Sequence, residues 1–308
     1  MTIRKITELV ETPSRDCIYD ILGYLNPGLC VDVGAAAGEV TRRMRMAGGP
    51  STRVIAFEPY PGNHEFFNRS TSALDNIELI KKAVTDRVGR ATFTVPGIVQ
   101  GTEQGWEEHA GYSSVGFLSS TRGVGQRILD KISGRPRPQT LTVATTSIDT
   151  ELAGKKIDFM KIDVQGGEAD VLHGSDTMLR TRRIDILYIE WSGDPRVVRS
   201  LAGHNYQIYD STYVVGHKTA AREGADVHQL EQIGFTILDE LKLSTGKVAY
   251  ELVLTRADVS PGEAMTRVKE AGLSWIQTDL IAVSDEALPR FQEAVRQYSH
   301  ASSFNADV

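Results

Sequence analysis

The segment Val31-Asp32-Val33-Gly34-Ala35-Ala36-Ala37-Gly38-Glu39 constrains this chain more than any other. An apolar run ends in a loop made only of glycine and alanine, and an acidic residue suited to a helix start follows. A nucleotide-like ligand needs this order of strand, small-residue turn and helix if main chain is to approach it closely, because larger side chains would fill the space. One helix later, Ile55-Ala56-Phe57-Glu58-Pro59 ends a second apolar run in a carboxylate. A carboxylate there accepts hydrogen bonds from both hydroxyls of a ribose and disfavours a phosphorylated one. Glycine-alanine turns and single acidic residues are each common in α/β proteins, so the weight rests on their order and spacing.

The alternation continues along the chain. Apolar spacing predicts a helix over 15–25, stopped by Asn26-Pro27-Gly28, a strand over 29–33 and a helix over 39–46. A strand over 53–57, a helix over 63–70 and strands over 77–84 and 91–95 follow. Residues 96–138, rich in Gly, Ser, Arg and Pro, interrupt the rhythm as a functional loop or lid would. It resumes with a strand over 141–145, a strand over 159–164, a helix over 168–180 and a strand over 184–191. Weaker patterns predict a helix over 194–202, a strand over 206–215, a helix over 227–233 and the returning strand of a hairpin over 247–254. From Pro261 the pattern turns helical, over 264–271 and 286–298, and ends in a polar tail, 299–308, expected to fray. The expected fold is α/β: a Rossmann-like, doubly wound, mostly parallel sheet over 1–256 with the 96–138 insertion, then a helical C-terminal extension over 257–308.

Bulk properties exclude several classes. A length of 308 residues suits one core with appendages, and 41% apolar with 24% charged residues is the balance of a globular protein. With 34 basic against 40 acidic residues the net charge is -6, so no nucleic-acid partner is expected, since phosphate contacts need clustered Lys and Arg. No apolar run approaches the roughly 20 residues that span a bilayer, so no membrane partner is expected. Residues 1–10 alternate charged with apolar side chains, unlike a signal peptide, and a cytoplasmic location is expected. Cys17 and Cys30 match no metal motif and are expected to be reduced packing residues.

Two cofactors compete for the glycine-alanine loop. A dinucleotide fingerprint wants Gly-x-Gly-x-x-Gly, but Ala36 stands at its second glycine and the next glycine is Gly38. Asp32, one residue inside the strand, suits the cationic methionine end of S-adenosylmethionine and would repel a pyrophosphate. The methyl donor is therefore favoured over a nicotinamide.

Three further segments follow: Asp158-Phe159-Met160-Lys161-Ile162-Asp163-Val164-Gln165-Gly166-Gly167-Glu168, Val171-Leu172-His173-Gly174 and Ile189-Glu190. With Val31 to Thr41 and Phe57-Glu58-Pro59, they make residues 30–191 resemble the FkbM family of O-methyltransferases. The resemblance implies a class I methyltransferase fold of Rossmann-like type. It also implies S-adenosylmethionine as donor, S-adenosylhomocysteine as product and a hydroxylated small molecule, a sugar or natural product, as acceptor. The chain departs from the family pattern at Ala36, where Asn is frequent, and at Gln165, where an acidic residue is common. By the same resemblance Asp32, Gly34, Ala35, Ala36 and Gly38 surround the methionine part of the cofactor, and Glu58 and Pro59 lie at the ribose. Ala83 and Val84 lie along the adenine, and Ser113 and Ser114 lie near the cofactor. The resemblance fades over 193–308, where acceptor identity is expected to be decided.

Methyl transfer to a hydroxyl is an in-line displacement, so the protein aligns acceptor and donor and excludes water. A neutral alcohol also needs a base within hydrogen-bond reach. Asp163 and Glu190 end strands at the edge where ligands bind in this topology, so both are candidate bases or acceptor clamps, and Asp163 also borders the cofactor. Asp163 comes first, because a carboxylate ending a buried strand costs stability unless it has a partner or a task. Lys161, two residues earlier on the same strand, would hold that carboxylate ionised. Glu168 needs only the helix dipole to explain it. The seven histidines are scattered, with His204 and His217 in the variable region as further candidate bases. Trp106, Tyr112, Trp191, Tyr209 and Tyr213 are candidates for an aromatic acceptor cleft, and no spacing demands a metal. The helical tail offers a homodimer contact or a cover. A non-catalytic nucleotide-binding Rossmann module and an NAD-dependent oxidoreductase stand as the alternatives.

Overall fold

The computed structural model describes residues 3–10, 13–14, 17–95, 117–118, 139–216, 225–242, 248–271 and 275–306. They form two compact units: Pro27–Ile184, and a second made of Met1–Asn26 with Asp185–Val308. Helix α1 (Cys17–Leu25) opens the second unit and buries Ile18, Ile21, Leu22 and Leu25, the spacing of one helical face.

The unit Pro27–Ile184 holds β1 (Leu29–Val33), α2 (Glu39–Gly48), β2 (Arg53–Phe57), α3 (Pro61–Thr71) and β3 (Ile77–Ile80). It continues with β4 (Ala83–Val84), β5 (Gly89–Val95), β6 (Phe117–Leu118), β7 (Gln139–Thr146), α4 (Ile148–Glu151), β8 (Ile157–Ile162), α5 (Glu168–His173) and α6 (Asp176–Arg180). Strand β1 lies between β8 and β2, β3 follows β2, and all three pairings are parallel. Parallel strands are covered on both faces, which is why β1 and β8 read as near-continuous apolar runs. A second sheet has the order β4-β7-β5-β6.

Two expected elements divide. The strand expected over 77–84 leaves the parallel sheet after Ile80, at Lys81 and Lys82, and Ala83–Val84 pairs with β7 instead. The helix expected over 168–180 breaks at Gly174 and Ser175. A side chain at Gly174 would collide with the carbonyl oxygen of Thr85, so the chain turns where only glycine fits.

The second unit continues with β9 (Ile184–Trp191), α7 (Pro195–Gly203), β10 (Tyr206–Gly216), α8 (Ala225–Ile233), β11 (Phe235–Lys242) and β12 (Val248–Leu254). It closes with α9 (Pro261–Glu270), β13 (Trp275–Ser284) and α10 (Leu288–Ala306). Its strands follow the order β11-β12-β10-β13-β9, with β13 antiparallel to both β10 and β9. The helices expected after Pro261 are present, but β13 between them corrects the expectation of a helical extension. Leu280, Ile281, Ala282 and Val283 are all fully buried, so the second half of this inner strand shows no alternation for sequence reading to find. The tail expected to fray instead prolongs α10 to Ala306.

The N-terminal segment pairs with β10 through the Arg4–Tyr209 bridge, and the amide of Ile6 donates to Asp210 Oδ1 at 2.7 Å. Tyr213 donates its hydroxyl to the other Asp210 oxygen at 2.7 Å. Burial pushes this carboxyl up to about 7, against the pull of both donors.

Candidate functional site

In the unit Pro27–Ile184 a cleft opens beyond the carboxyl ends of β1, β2 and β8, enclosing about 740 Å³ of empty space, part of it open to solvent. Of the candidate residues, Gly34, Ala36, Glu58, Pro59, Ala83, Val84 and Asp163 line it. Gln165, a departure from the family pattern, lines it too, as do Lys82, Thr85, Phe93 and Asp170, which the sequence did not single out.

The glycine-alanine loop supplies room, not donors. Gly34 stands at φ 83°, and a Cβ there would strike the carbonyl oxygen of Asp163, so the ends of β1 and β8 meet only through glycine. The amides of Gly34 and Ala35 both donate to the Phe57 carbonyl at 3.0 Å. The Ala36 amide donates to Glu58 Oε2 at 2.8 Å, and the Gly38 amide to the Ala35 carbonyl at 2.8 Å. Ala35 is buried against Ala56 and Phe67, and Gly38 precedes α2 at φ 84° with Phe67 and Ser70 too close for a side chain. Neither lines the cleft.

Glu58 is buried, and its two oxygens accept from the amides of Ala36 (2.8 Å) and Tyr60 (2.7 Å). Burial raises this carboxyl to about 7 although both amides pull it down. Asn63 also bears on this carboxylate, and since a carboxylate has about four acceptor directions, it keeps room for a further donor. Beside it, Phe57, Ala83, Val84 and Phe93 form an apolar wall, with Tyr60 stacked on Phe93 at a ring separation of 6.4 Å.

Asp32 does not line the cleft. Its side chain is fully buried and accepts from the Thr41 hydroxyl at 2.6 Å. Its other oxygen lies 3.4 Å from Lys161 Nζ. The same ammonium donates to the Gly34 carbonyl at 3.1 Å and lies 3.4 Å from Asp163 Oδ2. Lys161 thus ties the loop, a buried carboxylate and a cleft carboxylate to one charge. The Asp163 side chain is 37% exposed and also accepts from Gln165 Nε2 at 2.8 Å, so it faces the cleft in a held orientation. Glu168 turns back to accept from the amides of Val164 (3.3 Å) and Gly166 (2.9 Å). It closes the turn that carries Asp163, and burial raises its carboxyl above the ordinary value.

Other candidates lie elsewhere. Glu190 belongs to β9 of the other unit, opposite Asp279 of β13, and is not among the residues lining this cleft. His204 Nδ1 meets the Ser200 carbonyl at 2.7 Å, as a helix-terminal residue does. Trp191, Tyr209 and Tyr213 are buried, with Tyr209 and Tyr213 fully enclosed in packing. Ser113, Ser114, Trp106, Tyr112 and His217 lie outside the described residues.

Residues 32–215, more than half of the chain, match the methyltransferase FkbM domain. The chain belongs to the FkbM methyltransferase family. The FkbM chain is therefore an S-adenosylmethionine-dependent methyltransferase. Over 194 residues it is 27% identical to the 2-O-methyltransferase NoeI of Sinorhizobium fredii (strain NBRC 101917 / NGR234), an alignment covering 62% of this chain and 72% of that protein. Among solved structures it aligns with a precorrin-6y C5,15-methyltransferase from Geobacter metallireducens GS-15, at TM-score 0.39 and 11% identity over 92% of this chain and 95% of that one. It also aligns with an S-adenosylmethionine-dependent O-methyltransferase from Thermotoga maritima, at TM-score 0.37 and 9% identity over 80% and 66%. The residues present fit the cofactor of this FkbM domain. A buried carboxylate with spare acceptor directions suits a diol, the apolar wall suits a flat base, and Asp163 supplies negative charge for a cationic centre.

Proposed function

We propose that this FkbM chain is an O-methyltransferase that acts on a hydroxyl of a sugar or natural-product small molecule. The observation that carries the reading is Asp163, a partly exposed carboxylate at the cleft, oriented by Gln165 on one oxygen and Lys161 at the other. A base in that state takes the acceptor's proton as the new bond forms, an effect worth about a hundred- to ten-thousand-fold. The 2-O-methyltransferase among its relatives supports a hydroxyl acceptor. Bound S-adenosylmethionine supplies the activated methyl group. In this reading Glu58, next to Pro59, accepts from the ribose hydroxyls, and Ala83 and Val84 lie along the base. Gly34 and Ala36 keep the methionine end free of large side chains, while Ala35 and Gly38 hold the loop against Phe67 behind it. Asp32 acts on the site through Lys161, a positioning residue.

The test combines binding with turnover. Calorimetric titration should show binding of S-adenosylhomocysteine and none of NAD, and labelled methyl donor should mark at least one acceptor in a panel of hydroxylated compounds. Tight NAD binding without S-adenosylhomocysteine overturns the cofactor site. Asp163→Asn should keep S-adenosylhomocysteine affinity within about threefold while kcat falls about a hundredfold or more. Unchanged turnover removes Asp163 from the mechanism.

A further inference from the structure

Asp170 is one of the cleft residues that sequence reading left without a task. It stands in the first turn of α5 and lines the cleft. The helix is pinned at its far end, where Gly174 packs directly on the carbonyl oxygen of Thr85 because no side chain intervenes. The Gly174 amide donates to the Asp170 carbonyl at 2.9 Å, so Asp170 sits on the same helix face one turn, about 5.4 Å, before that contact. Thr85 follows Ala83 and Val84 directly and lines the cleft too. Asp170 therefore belongs to the Ala83–Thr85 end of the cleft. Its charge also reaches Arg87, two residues beyond Thr85, after the larger influence of Asp86.

At that end the wall of Ala83, Val84 and Phe93 selects a flat ring but cannot tell one purine from another. Asp170 shares this end with Lys82, Thr85 and Gln165, whose donors are directed to partners within the protein. Lys82 donates to Glu151 at 2.8 Å, Thr85 to Asp86 at 3.1 Å and Gln165 to Asp163 at 2.8 Å. A carboxylate is a pure acceptor, and the exocyclic amino group of adenine is a donor, whereas a 6-oxopurine presents an oxygen there.

We propose that Asp170 is a specificity-determining residue that accepts a hydrogen bond from the adenine amino group and makes the cleft reject a 6-oxopurine nucleoside. The proposal rests on the reading that the base lies along Ala83 and Val84. A site built to accept from a donor rejects an analogue that lacks it, because two acceptors are then forced together.

The experiment is calorimetric titration of the full chain with S-adenosylhomocysteine and with its 6-oxo analogue, S-inosylhomocysteine. The wild-type chain should bind the amino compound at least about tenfold more tightly. Asp170→Asn, whose amide can donate to the 6-oxo group, should narrow that ratio toward one, chiefly by gaining affinity for the inosine compound. Equal binding of both compounds by the wild-type chain overturns the role of Asp170, and needs no variant to fold. So does a ratio that Asp170→Asn leaves unchanged. Failure to bind either compound overturns the cleft as the cofactor site, a different result from loss of discrimination alone.

Discussion

One ammonium, that of Lys161, faces Asp32, Asp163 and the Gly34 carbonyl at 3.1 to 3.4 Å, with its side chain only 9% exposed. Removing one partner of a buried pair leaves the other charge uncompensated, at a cost of about 3–5 kcal/mol. Lys161→Met should therefore destabilise the chain by that order in urea unfolding, and the loss should shrink markedly when Asp32→Asn is already present. Equal losses in both backgrounds would mean that Asp32 and Lys161 are not coupled. This pair also shows how far single residues were legible. The order of carboxylate and glycine marked Gly34, Ala36, Glu58 and Asp163, because a strand end and a tight turn are local events. The direction of the Asp32 side chain was not local. It depends on Thr41 from the next helix and Lys161 from a strand 129 positions on in the chain, which only pairing of β1 with β8 brings alongside.

Elements were legible where their pattern is periodic and missed where burial is complete. Helix α1 announces itself by one apolar face, and α7 by Asp194, whose side chain accepts from the Arg196 amide before Pro195 at the first helical position. Strand β13 gives no such sign over Leu280 to Val283, where both its edges are paired and every side chain is buried. Leu280, fully buried, lies opposite Asp210 on one side and Ile189 on the other. Proline at this position removes an amide from the ladder of an inner strand and should cost at least about 3 kcal/mol. Leu280→Pro should therefore lower the thermal midpoint followed by circular dichroism by many degrees; a midpoint equal to wild type would show that β13 is not an inner strand. The break of the expected helix at Gly174 has the same kind of cause, since the Thr85 carbonyl that forbids a side chain there arrives from a different sheet.

Among the described residues, each compact unit buries one carboxyl whose pKa burial lifts to about 7, Glu58 in one and Asp210 in the other. The native chain holds these protons up to about pH 7, whereas the unfolded chain releases them near pH 4. Their contribution to stability is thus complete below about pH 4 and is lost as pH rises through 7, on the order of a few kcal/mol in all. Glu58→Gln with Asp210→Asn should flatten the dependence, so that the variant gains on wild type in urea midpoint between pH 5 and pH 8. A wild-type midpoint that gains just as much as the variant's over that range would overturn the assignment. Cofactor binding should run the other way. The ribose hydroxyls donate to the ionised form of Glu58, so S-adenosylhomocysteine affinity should rise as pH passes 7.

The order of strand, small loop, helix and strand-end carboxylate is written in neighbouring residues, and so the sequence alone determined the fold class, the family and the cofactor. Backbone geometry and periodicity act over a few positions, which is why those features survive without the rest of the chain. Which carboxylate faces the cleft, where Asp32 spends its charge, how β13 slips between two strands and why Gly174 meets Thr85 were decided only by tertiary structure. Each depends on groups far apart in the chain whose contact is set by strand pairing and close packing, and no local pattern encodes that distance.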